Sequence, residues 1–195
     1  VGGKAMLWFI SASLISLLLG LVLVNWLEPG HVTKLPIQDA NSVSEIDEEV
    51  VNVCKQYLPK TACGFNDDRV NIYYQDGMRY IRRHTGVYDL IIVDSTDPFG
   101  PGEGLFTKEF YGNCYNALKE DGIMVNQHES PFYDEDAAAM KRAHKRIHDS
   151  FPISKLYQAF IPTYPSGHWL FGFASKKFHP VRDVNETKWE SFNIK

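Results

Sequence analysis

The sequence predicts an α/β fold: a largely parallel sheet with helices between its strands, preceded by a hydrophobic helix. Segments that suit buried or half-buried strands lie at residues 70–74, 90–93 and 123–127, because they are uniformly apolar or alternate between apolar and polar residues. Amphipathic segments that suit helices separate them, and this alternation is typical of βαβ units. Two later strands, at residues 156–161 and 169–174, have no helix between them, so we expect an antiparallel pair.

Four helices are predicted between and after these strands. Their apolar positions fall on one face, and a capping or turn residue stands at one end of each. They are residues 48–58 after the N-cap Asp47, 78–84 after the turn Gln75-Asp76-Gly77, 107–119 before Asp121-Gly122, and 134–151 with the cap Asp134. The length of 195 residues suits about one domain.

Composition restricts the function classes. The formal net charge is −4, which gives no indication of a nucleic-acid partner. The three cysteines, Cys54, Cys63 and Cys114, are odd in number and form no Cys-x-x-Cys pair. This favours free thiols in a reducing compartment such as the cytoplasm, and it argues against a disulfide framework or a zinc site.

The segment at residues 5–27 contains no charged residue. It is long enough to cross a bilayer as a helix, which needs about 20 apolar residues. A signal peptide and a buried soluble helix are the alternatives, but the length of the apolar stretch favours a transmembrane helix and membrane association. Residues 28–44 are rich in proline, glycine and polar residues and suit a linker. We therefore divide the chain into residues 1–43, a transmembrane-like segment with its linker, and 44–195, the α/β domain.

The carboxylate most suited to catalysis is Asp94. It directly follows the apolar strand at 90–93, and open α/β sheets bind ligands at the C-terminal ends of their parallel strands. Asp97 follows three residues later, in a loop stiffened by Pro98 and Pro101. Two acids in one such loop form an electronegative pocket suited to an amine. The alternatives are that Asp94 caps the loop backbone and that Asp97 forms an ordinary turn.

Two histidines, His144 and His148, lie four residues apart on one predicted helix, a spacing also found in metal sites. The neighbouring Lys141, Arg142 and Lys145 would repel a cation, and no third ligand is evident. We therefore interpret this surface as a solvated basic face and predict no metal site.

Several motifs together carry a resemblance to one family. The segment at 94–101, Asp-Ser-Thr-Asp-Pro-Phe-Gly-Pro, resembles the active-site loop of the spermidine synthases, the polyamine aminopropyltransferases. The resemblance continues, in the family's order, through Glu45-Ile46-Asp47, Gln75-Asp76-Gly77 and the Ile-Pro-Thr-Tyr-Pro-Ser-Gly loop at 161–167. It covers about residues 44–195 and implies a Rossmann-like sheet of the S-adenosylmethionine-dependent methyltransferase type.

The reaction that this resemblance implies is transfer of an aminopropyl group from decarboxylated S-adenosylmethionine to putrescine, giving spermidine and 5′-methylthioadenosine. Decarboxylated S-adenosylmethionine is a co-substrate in this reaction, so no separate cofactor is expected. The family commonly forms homodimers or homotetramers. The acid pair favours this reaction over methyl transfer, because a methyltransferase has no general need for a diamine-binding pair of acids.

The resemblance also implies a role for each site residue. Asp94 is expected to hold the amine and take its proton, with Asp97 and Tyr164 binding the diamine, while the nucleoside-binding residues are Glu45, Asp76, Gly77 and Pro101. Gln127 and Glu129 are expected to border the amine site. The structural alternatives are a capping role for Glu45, an ordinary turn at Asp76-Gly77, loop packing for Tyr164 and a turn proline at Pro101.

The chain also departs from the family's pattern. Three features of the family are not evident before Glu45: the first strand, a loop of the Gly-Gly-Gly-Asp-Gly-Gly type and the small N-terminal β-domain. We therefore expect an N-terminally truncated sheet, an open edge beside the strand of Glu45, and weak or lost activity. Residues 1–43 instead resemble one transmembrane helix of the bacterial sodium:dicarboxylate symporters, from which no transport function follows. A non-catalytic or membrane-tethered fusion fragment, or another S-adenosylmethionine-binding transferase, is the alternative function.

Overall fold

The computed structural model describes residues 6–10, 41–95 and 100–186. Within these ranges the chain forms one sheet of seven strands in the spatial order β3-β2-β1-β4-β5-β7-β6. In chain order the strands are β1 Met6–Ile10, β2 Asn41–Glu45, β3 Val70–Tyr74, β4 Tyr88–Asp94, β5 Leu118–Gln127, β6 Ile153–Phe160 and β7 His168–Ser175.

Strand direction divides the sheet into two parts. The pairs β3–β2, β2–β1, β1–β4 and β4–β5 are parallel, and β7 runs antiparallel to both β5 and β6. The antiparallel pair predicted near the C-terminus is therefore confirmed. The C-terminal ends of five neighbouring parallel strands consequently meet at one edge of the sheet.

The helices in the described ranges are α1 Glu48–Tyr57, α2 Gly77–Ile81, α3 Lys108–Ala117 and α4 Asp134–His148, with 3-10 helices at Ala62–Asn66 and Gly100–Phe106. The Asp47 carboxylate caps α1 by accepting a hydrogen bond from the Glu49 N–H at 3.0 Å. The predicted capping role of Asp134 is wrong, because the N-cap of α4 is Tyr133. Asp134 lies in the first turn instead, where a negative charge is favourable at the positive end of the helix dipole.

The start of β5 differs from its prediction. α3 ends at Ala117, two residues earlier than expected, and β5 begins at Leu118 rather than at residue 123. Leu118 is fully buried and pairs with Tyr88 at the start of β4. The next pair is Leu90 with Ile123, so the register shifts and Asp121-Gly122 lies in an irregular stretch of β5. Regular pairing starts at Ile123, where the sequence predicts the strand to begin.

The predicted transmembrane helix is wrong for Met6–Ile10. These residues form β1, which lies in the middle of the sheet, hydrogen-bonded to β2 on one side and to β4 on the other. The reason is that a short apolar run suits a buried parallel strand as well as it suits a membrane helix. The remaining residues of that predicted helix, 11–27, lie outside the described residues. Within 6–10, 41–95 and 100–186, no helix combines the length and the apolar character needed to cross a membrane.

β1 occupies the sheet position that we expected to be missing. β2 pairs with β1 through Val43 and Trp8, and with β3 through Val43 and Ile72. The predicted open edge beside the strand of Glu45 is therefore wrong, because that strand has a neighbour on each side. β2 begins at Asn41, inside the segment predicted as a linker, and the boundary predicted after residue 43 falls within this strand.

The largest core cluster lies where α2, α3 and α4 pack on one face of the sheet. Its members are buried apolar side chains from β4, β5 and these helices, among them Ile81, Ile91, Phe110, Met124 and Ile147. A close-packed interior permits little displacement of its parts. The core therefore fixes the strand ends, and with them the positions of the polar residues at the C-terminal edge.

Candidate active site

Strand register brings the predicted site residues to one edge of the sheet. Asp94 pairs with Ile10 and Phe9 pairs with Ser44, so Glu45 lies at the same level as Asp94, two strands away. Neighbouring strands are about 4.8 Å apart, which puts their backbones roughly 10 Å apart. On the other side of Asp94, the pairing of Val93 with Asn126 places Gln127 beside it.

Asp94 lies where the sequence predicts it, as the last residue of β4, with 7% of its surface exposed. The 3-10 helix Gly100–Phe106 follows and includes Pro101, for which only the backbone is described. Asp97 lies outside the described residues. The predicted roles of Asp97 and Pro101 therefore stay predictions.

Glu45 is almost completely buried, with 1% of its surface exposed. Its Oε1 accepts hydrogen bonds from the backbone N–H groups of Ile46 and Asp47 at 2.8 and 3.1 Å. Its Oε2 is buried and has no hydrogen-bond partner among the described residues. Burial raises the pKa of the Glu45 carboxyl above its ordinary value, against the opposing effect of the two N–H donors. One oxygen therefore organises the start of α1, and the other can accept a hydrogen bond from a ligand.

Asp76 and Gly77 stand beside Glu45 at the end of β3. The Gln75 N–H donates to the Glu45 carbonyl at 2.9 Å, and the Ser44 hydroxyl donates to the Gln75 carbonyl at 3.1 Å. Asp76 is the N-cap of α2, and its Oδ1 accepts from the Met78 N–H at 2.8 Å. One oxygen of Asp76 therefore has the structural role that an Asp-Gly turn predicts. The half-buried carboxylate also lies at the same edge of the sheet as Glu45.

The last residue of β5 and the chain directly after it are polar and buried. Gln127, His128, Glu129 and Ser130 are each at most 8% exposed. The Gln127 Oε1 is buried without a hydrogen-bond partner in the part of the chain that the structure describes. Because Gln127 lies beside Asp94, this segment lies on the opposite side of Asp94 from Glu45.

Tyr164 lies in the loop between β6 and β7 and packs against Trp169, with ring centroids 4.3 Å apart. Both side chains are buried. The Trp169 indole N–H is buried and finds no acceptor within the described ranges. The sequence did not single out Trp169, because one tryptophan at the start of a predicted strand carries no functional signal. The His128 N–H donates to the Leu170 carbonyl at 3.0 Å, which brings Trp169 next to the segment after β5.

The two histidines of α4 occupy different environments. The ring of His144 is half-buried and packs on His128, with centroids 5.6 Å apart. His148 is exposed, and its Nδ1 lies 3.0 Å from the Ser154 hydroxyl. The predicted solvated face is therefore wrong for His144, because tertiary packing covers it. Among the residues that the structure describes, no cluster of three or more potential metal ligands is found.

The His128 side chain is expected to make folding sensitive to acid. Burial, with a smaller effect of His144, lowers the pKa of His128 from 6.5 to about 3. Below pH 6.5 the unfolded chain therefore binds a proton at this histidine that the folded chain does not. As the pH decreases below 6.5, this one histidine lowers the free energy of unfolding by up to about 1.4 kcal/mol for each pH unit. We expect His128→Gln, which cannot titrate, to flatten the decline in unfolding free energy between pH 6.5 and 5. The control His148→Gln, at an exposed position, should keep the wild-type slope, and equal slopes for His128→Gln and wild type would refute the assignment.

Sequence comparison identifies the family. The chain matches the sequence model of the spermine/spermidine synthase domain over residues 30–185. It belongs to the spermine/spermidine synthase family. The family resemblance predicted from the loop at residues 94–101 is therefore confirmed.

Curated relatives of this family member are polyamine aminopropyltransferases. The enzyme named so from Clostridium beijerinckii is 66% identical over 165 residues, which cover 85% of this chain and 58% of the relative. That from Alkaliphilus oremlandii is 67% identical over 150 residues, covering 77% of this chain and 53% of the relative. The chain thus spans somewhat more than half the length of the curated relatives it matches.

Solved structures of the spermidine synthases share the fold. A spermidine synthase in complex with the transition-state analogue AdoDATO superposes with a TM-score of 0.83 and 38% identity, covering 97% of this chain and 60% of that chain. The spermidine synthase from Thermotoga maritima superposes with a TM-score of 0.80 and 37% identity, covering 98% of this chain and 60% of that chain. The Rossmann-like sheet predicted from the family resemblance is therefore confirmed.

Proposed function

We propose that this chain transfers an aminopropyl group from decarboxylated S-adenosylmethionine to putrescine, giving spermidine and 5′-methylthioadenosine. The observation that carries the proposal is the position of Asp94. This buried carboxylate ends the central strand β4, with Glu45 two strands away on one side and Gln127 beside it on the other. The proposal assigns the nucleoside to the first side and the diamine to the second.

The chemical step requires a neutral amine. An alkylamine has a pKa near 10, as in lysine, so putrescine arrives protonated. Asp94 holds the ammonium and takes one proton, and the freed nitrogen lone pair attacks the carbon beside the sulfonium. The new C–N bond forms as the C–S bond breaks, and its electrons remain on sulfur, which leaves as neutral methylthioadenosine. The transferred proton stays on Asp94 until solvent removes it, so charge and atoms balance without an oxidant or a metal.

The nucleoside side of the site is assigned to Glu45, Asp76, Gly77 and Pro101. The buried Oε2 of Glu45 supports a role as acceptor for the ribose hydroxyls. Asp76, at the next strand end, suits the adenine amino group. Gly77 begins α2 directly after it, and the absence of a side chain lets a ring approach closely. Pro101 is assigned to the same side by its place in the loop after Asp94.

A substitution at Glu45 should affect binding and stability in opposite directions. In Glu45→Gln, the amide oxygen can still accept from the backbone N–H groups of Ile46 and Asp47. The amide NH2 group then faces the ligand, at a place where the ligand needs an acceptor. We expect the Kd for methylthioadenosine, measured by calorimetry, to rise about 10- to 100-fold, because a hydrogen bond to a charged group is lost. The matched control Glu49→Gln changes an exposed acid on α1 and should stay within about twofold of wild type.

The stability effect follows from the raised pKa of Glu45. As pH rises above 4.5, the unfolded chain ionises this carboxyl more readily than the folded chain, so the wild type loses stability until the folded pKa is reached. Glu45→Gln avoids this loss. Its ligand-free form should therefore melt at a higher temperature than wild type at pH 8, with the difference shrinking toward pH 4. A variant that binds methylthioadenosine as wild type does would contradict the assignment of Glu45.

The amine side of the site is assigned to Asp97, Tyr164, Gln127 and Glu129. The segment after β5 supports this assignment, because it is polar, buried and adjacent to Asp94. Asp97 is assigned by its spacing from Asp94 alone. A diammonium ion entering this side would meet the buried acids Asp94 and Glu129.

The experiment that tests the function compares donors. The chain is incubated with putrescine and either decarboxylated S-adenosylmethionine or S-adenosylmethionine itself, and the amine products are identified by mass spectrometry. We expect spermidine from the first donor, in equal amount to methylthioadenosine, and no methylated amine from the second. Methyl transfer from S-adenosylmethionine would favour another transferase on this fold. No product from either donor would favour a non-catalytic fragment, the alternative that the absence of a Gly-Gly-Gly-Asp-Gly-Gly sequence raises.

The proposed setting is a reducing compartment. All three cysteines, Cys54, Cys63 and Cys114, are free thiols, as the sequence predicts. Cys54 and Cys114 are buried, and burial raises the pKa of each thiol, which makes them poor nucleophiles. The cytoplasm and a homo-oligomeric assembly remain predictions from the family.

A further inference from the structure

Three of the residues assigned to the amine, Gln127, Glu129 and Tyr164, lie on two separate segments. Residues 127–130 include the end of β5 and the chain after it, and residues 161–167 form the loop between β6 and β7. Backbone hydrogen bonds join the two regions through Leu170, whose carbonyl accepts from the His128 N–H at 3.0 Å and whose N–H donates to the Glu129 carbonyl at 3.4 Å. Past Glu129 the sheet pairing ends, and the packing of Tyr164 on Trp169 is one contact that holds the loop near this segment.

A pair of serine side chains makes such a contact. The hydroxyls of Ser130 and Ser166 lie 3.0 Å apart, at hydrogen-bond distance. Each oxygen is also tied to its own segment: Ser130 Oγ accepts from the Phe132 N–H at 3.2 Å, and Ser166 Oγ accepts from the His168 N–H at 3.3 Å. The Ser130–Ser166 pair therefore links the backbone of one segment to the backbone of the other.

The backbone at Ser166 is held in an unusual conformation. Its φ is +67°, in the left-handed region that residues other than glycine rarely adopt. Such conformations persist where the surrounding contacts fix them. Ser130 is fully buried and Ser166 is exposed, so the contact ties a surface loop to a buried side chain. The backbone conformation of Ser166 and the burial of Ser130 both favour a fixed contact.

We propose that the Ser130–Ser166 pair is a positioning contact that sets the width of the amine side and so selects the length of the diamine. This inference rests on the proposed function, because it assigns the diamine to the space between Glu129 and Tyr164. The loop also holds itself, since the Tyr164 N–H donates to the Ile161 carbonyl and its carbonyl accepts from the Gly167 N–H. The loop therefore moves as a unit, and losing the serine contact shifts Tyr164 with it.

Two variants remove the contact from opposite sides. Ser130→Ala deletes the buried hydroxyl. Ser166→Gly deletes the other hydroxyl at a position where glycine accepts the positive φ without strain, so the fold is preserved. The matched control is Ser154→Ala on β6, which removes a side-chain contact to His148 away from the loop. Melting temperatures verify that every variant is folded.

The kinetic readout uses putrescine and its five-carbon homologue, 1,5-diaminopentane. Loss of one hydrogen bond corresponds to roughly a 3- to 10-fold effect. We expect each variant to raise the KM for putrescine by about this factor, with kcat within about threefold of wild type and an unchanged Kd for methylthioadenosine. The preference for putrescine over the homologue should fall by a similar factor. The double variant should show less than the sum of the two single effects, because both substitutions remove the shared contact and only the hydrogen bond within each serine's own segment is lost separately.

Hydrogen exchange separates the failure of this inference from the failure of the proposed function. If the contact positions the loop, the Gly167 amide should exchange at least several-fold faster in both variants and at the wild-type rate in Ser154→Ala. Unchanged exchange overturns the positioning contact, whether or not the chain turns over substrate. Faster exchange with unaltered KM and diamine preference overturns the specificity role. If both variants exchange faster but the wild type forms no spermidine, the positioning contact stands, while the diamine role and the proposed function are refuted.

Discussion

Asp94→Asn is expected to lower kcat/KM for spermidine formation by at least about 100-fold. General acid–base catalysis typically contributes about 10²- to 10⁴-fold, and the amide has nearly the shape of the carboxylate but cannot take the proton of the ammonium. Binding of methylthioadenosine should change little, because Glu45 lies two strands from Asp94. Steady-state kinetics with saturating decarboxylated S-adenosylmethionine measure the first effect, and calorimetry measures the second.

The matched control for this prediction is Asp89→Asn, the same change near the opposite end of the same strand. Asp89 forms a partly exposed ion pair with Lys119 at 2.8 Å, and such pairs contribute at most about 1 kcal/mol to stability. The control should therefore retain activity within about threefold. An Asp94→Asn variant as active as this control would exclude Asp94 as the proton acceptor.

Gly172→Ala is expected to destabilise the fold by roughly 1–3 kcal/mol, the usual effect of overfilling a packed interior. A Cβ at this position would lie 2.2 Å from the Asn126 Oδ1 and 2.8 Å from the His128 Nε2. Both side chains, one on β5 and one directly after it, are buried and cannot move into solvent. For a chain of this size, the melting temperature should fall by about 2–10 °C. The KM for putrescine should also rise, because the displaced side chains flank Gln127.

The control for this prediction is Gly112→Ala in α3. Nothing lies within 4 Å of a Cβ at Gly112, and alanine is favoured over glycine in a helix by roughly 0.5–1 kcal/mol. The same substitution should therefore raise the melting temperature at Gly112 and lower it at Gly172. Equal effects at both positions would contradict the packing account.

Local sequence patterns were sufficient for part of this structure. The buried strand β4, the strand-end position of Asp94 and the capping role of Asp47 follow from apolar runs and single residues close in sequence. These features depend on contacts within a few residues. That is why the sequence predicts them correctly, together with the antiparallel pair that follows α4.

Non-local contacts explain what the sequence did not predict. An apolar run at Met6–Ile10 is compatible with a membrane helix or with a central strand, and only its pairing with β2 and β4 decides between them. The helix position of His144 does not reveal that His128, which directly follows β5, covers its ring. The close approach of Gly172 to Asn126 likewise depends on the register between β7 and β5.

The most direct test of the account is a crystal structure of the chain with methylthioadenosine and putrescine. We expect the ribose hydroxyls to lie within hydrogen-bond distance of the Glu45 Oε2. We also expect an amine nitrogen to lie between the Asp94 carboxylate and the methylthio group of the nucleoside. The second nitrogen should point toward Glu129 and Tyr164. A nucleoside bound away from Glu45, or an amine that does not contact Asp94, would contradict the assignment of this edge as an aminopropyl-transfer site.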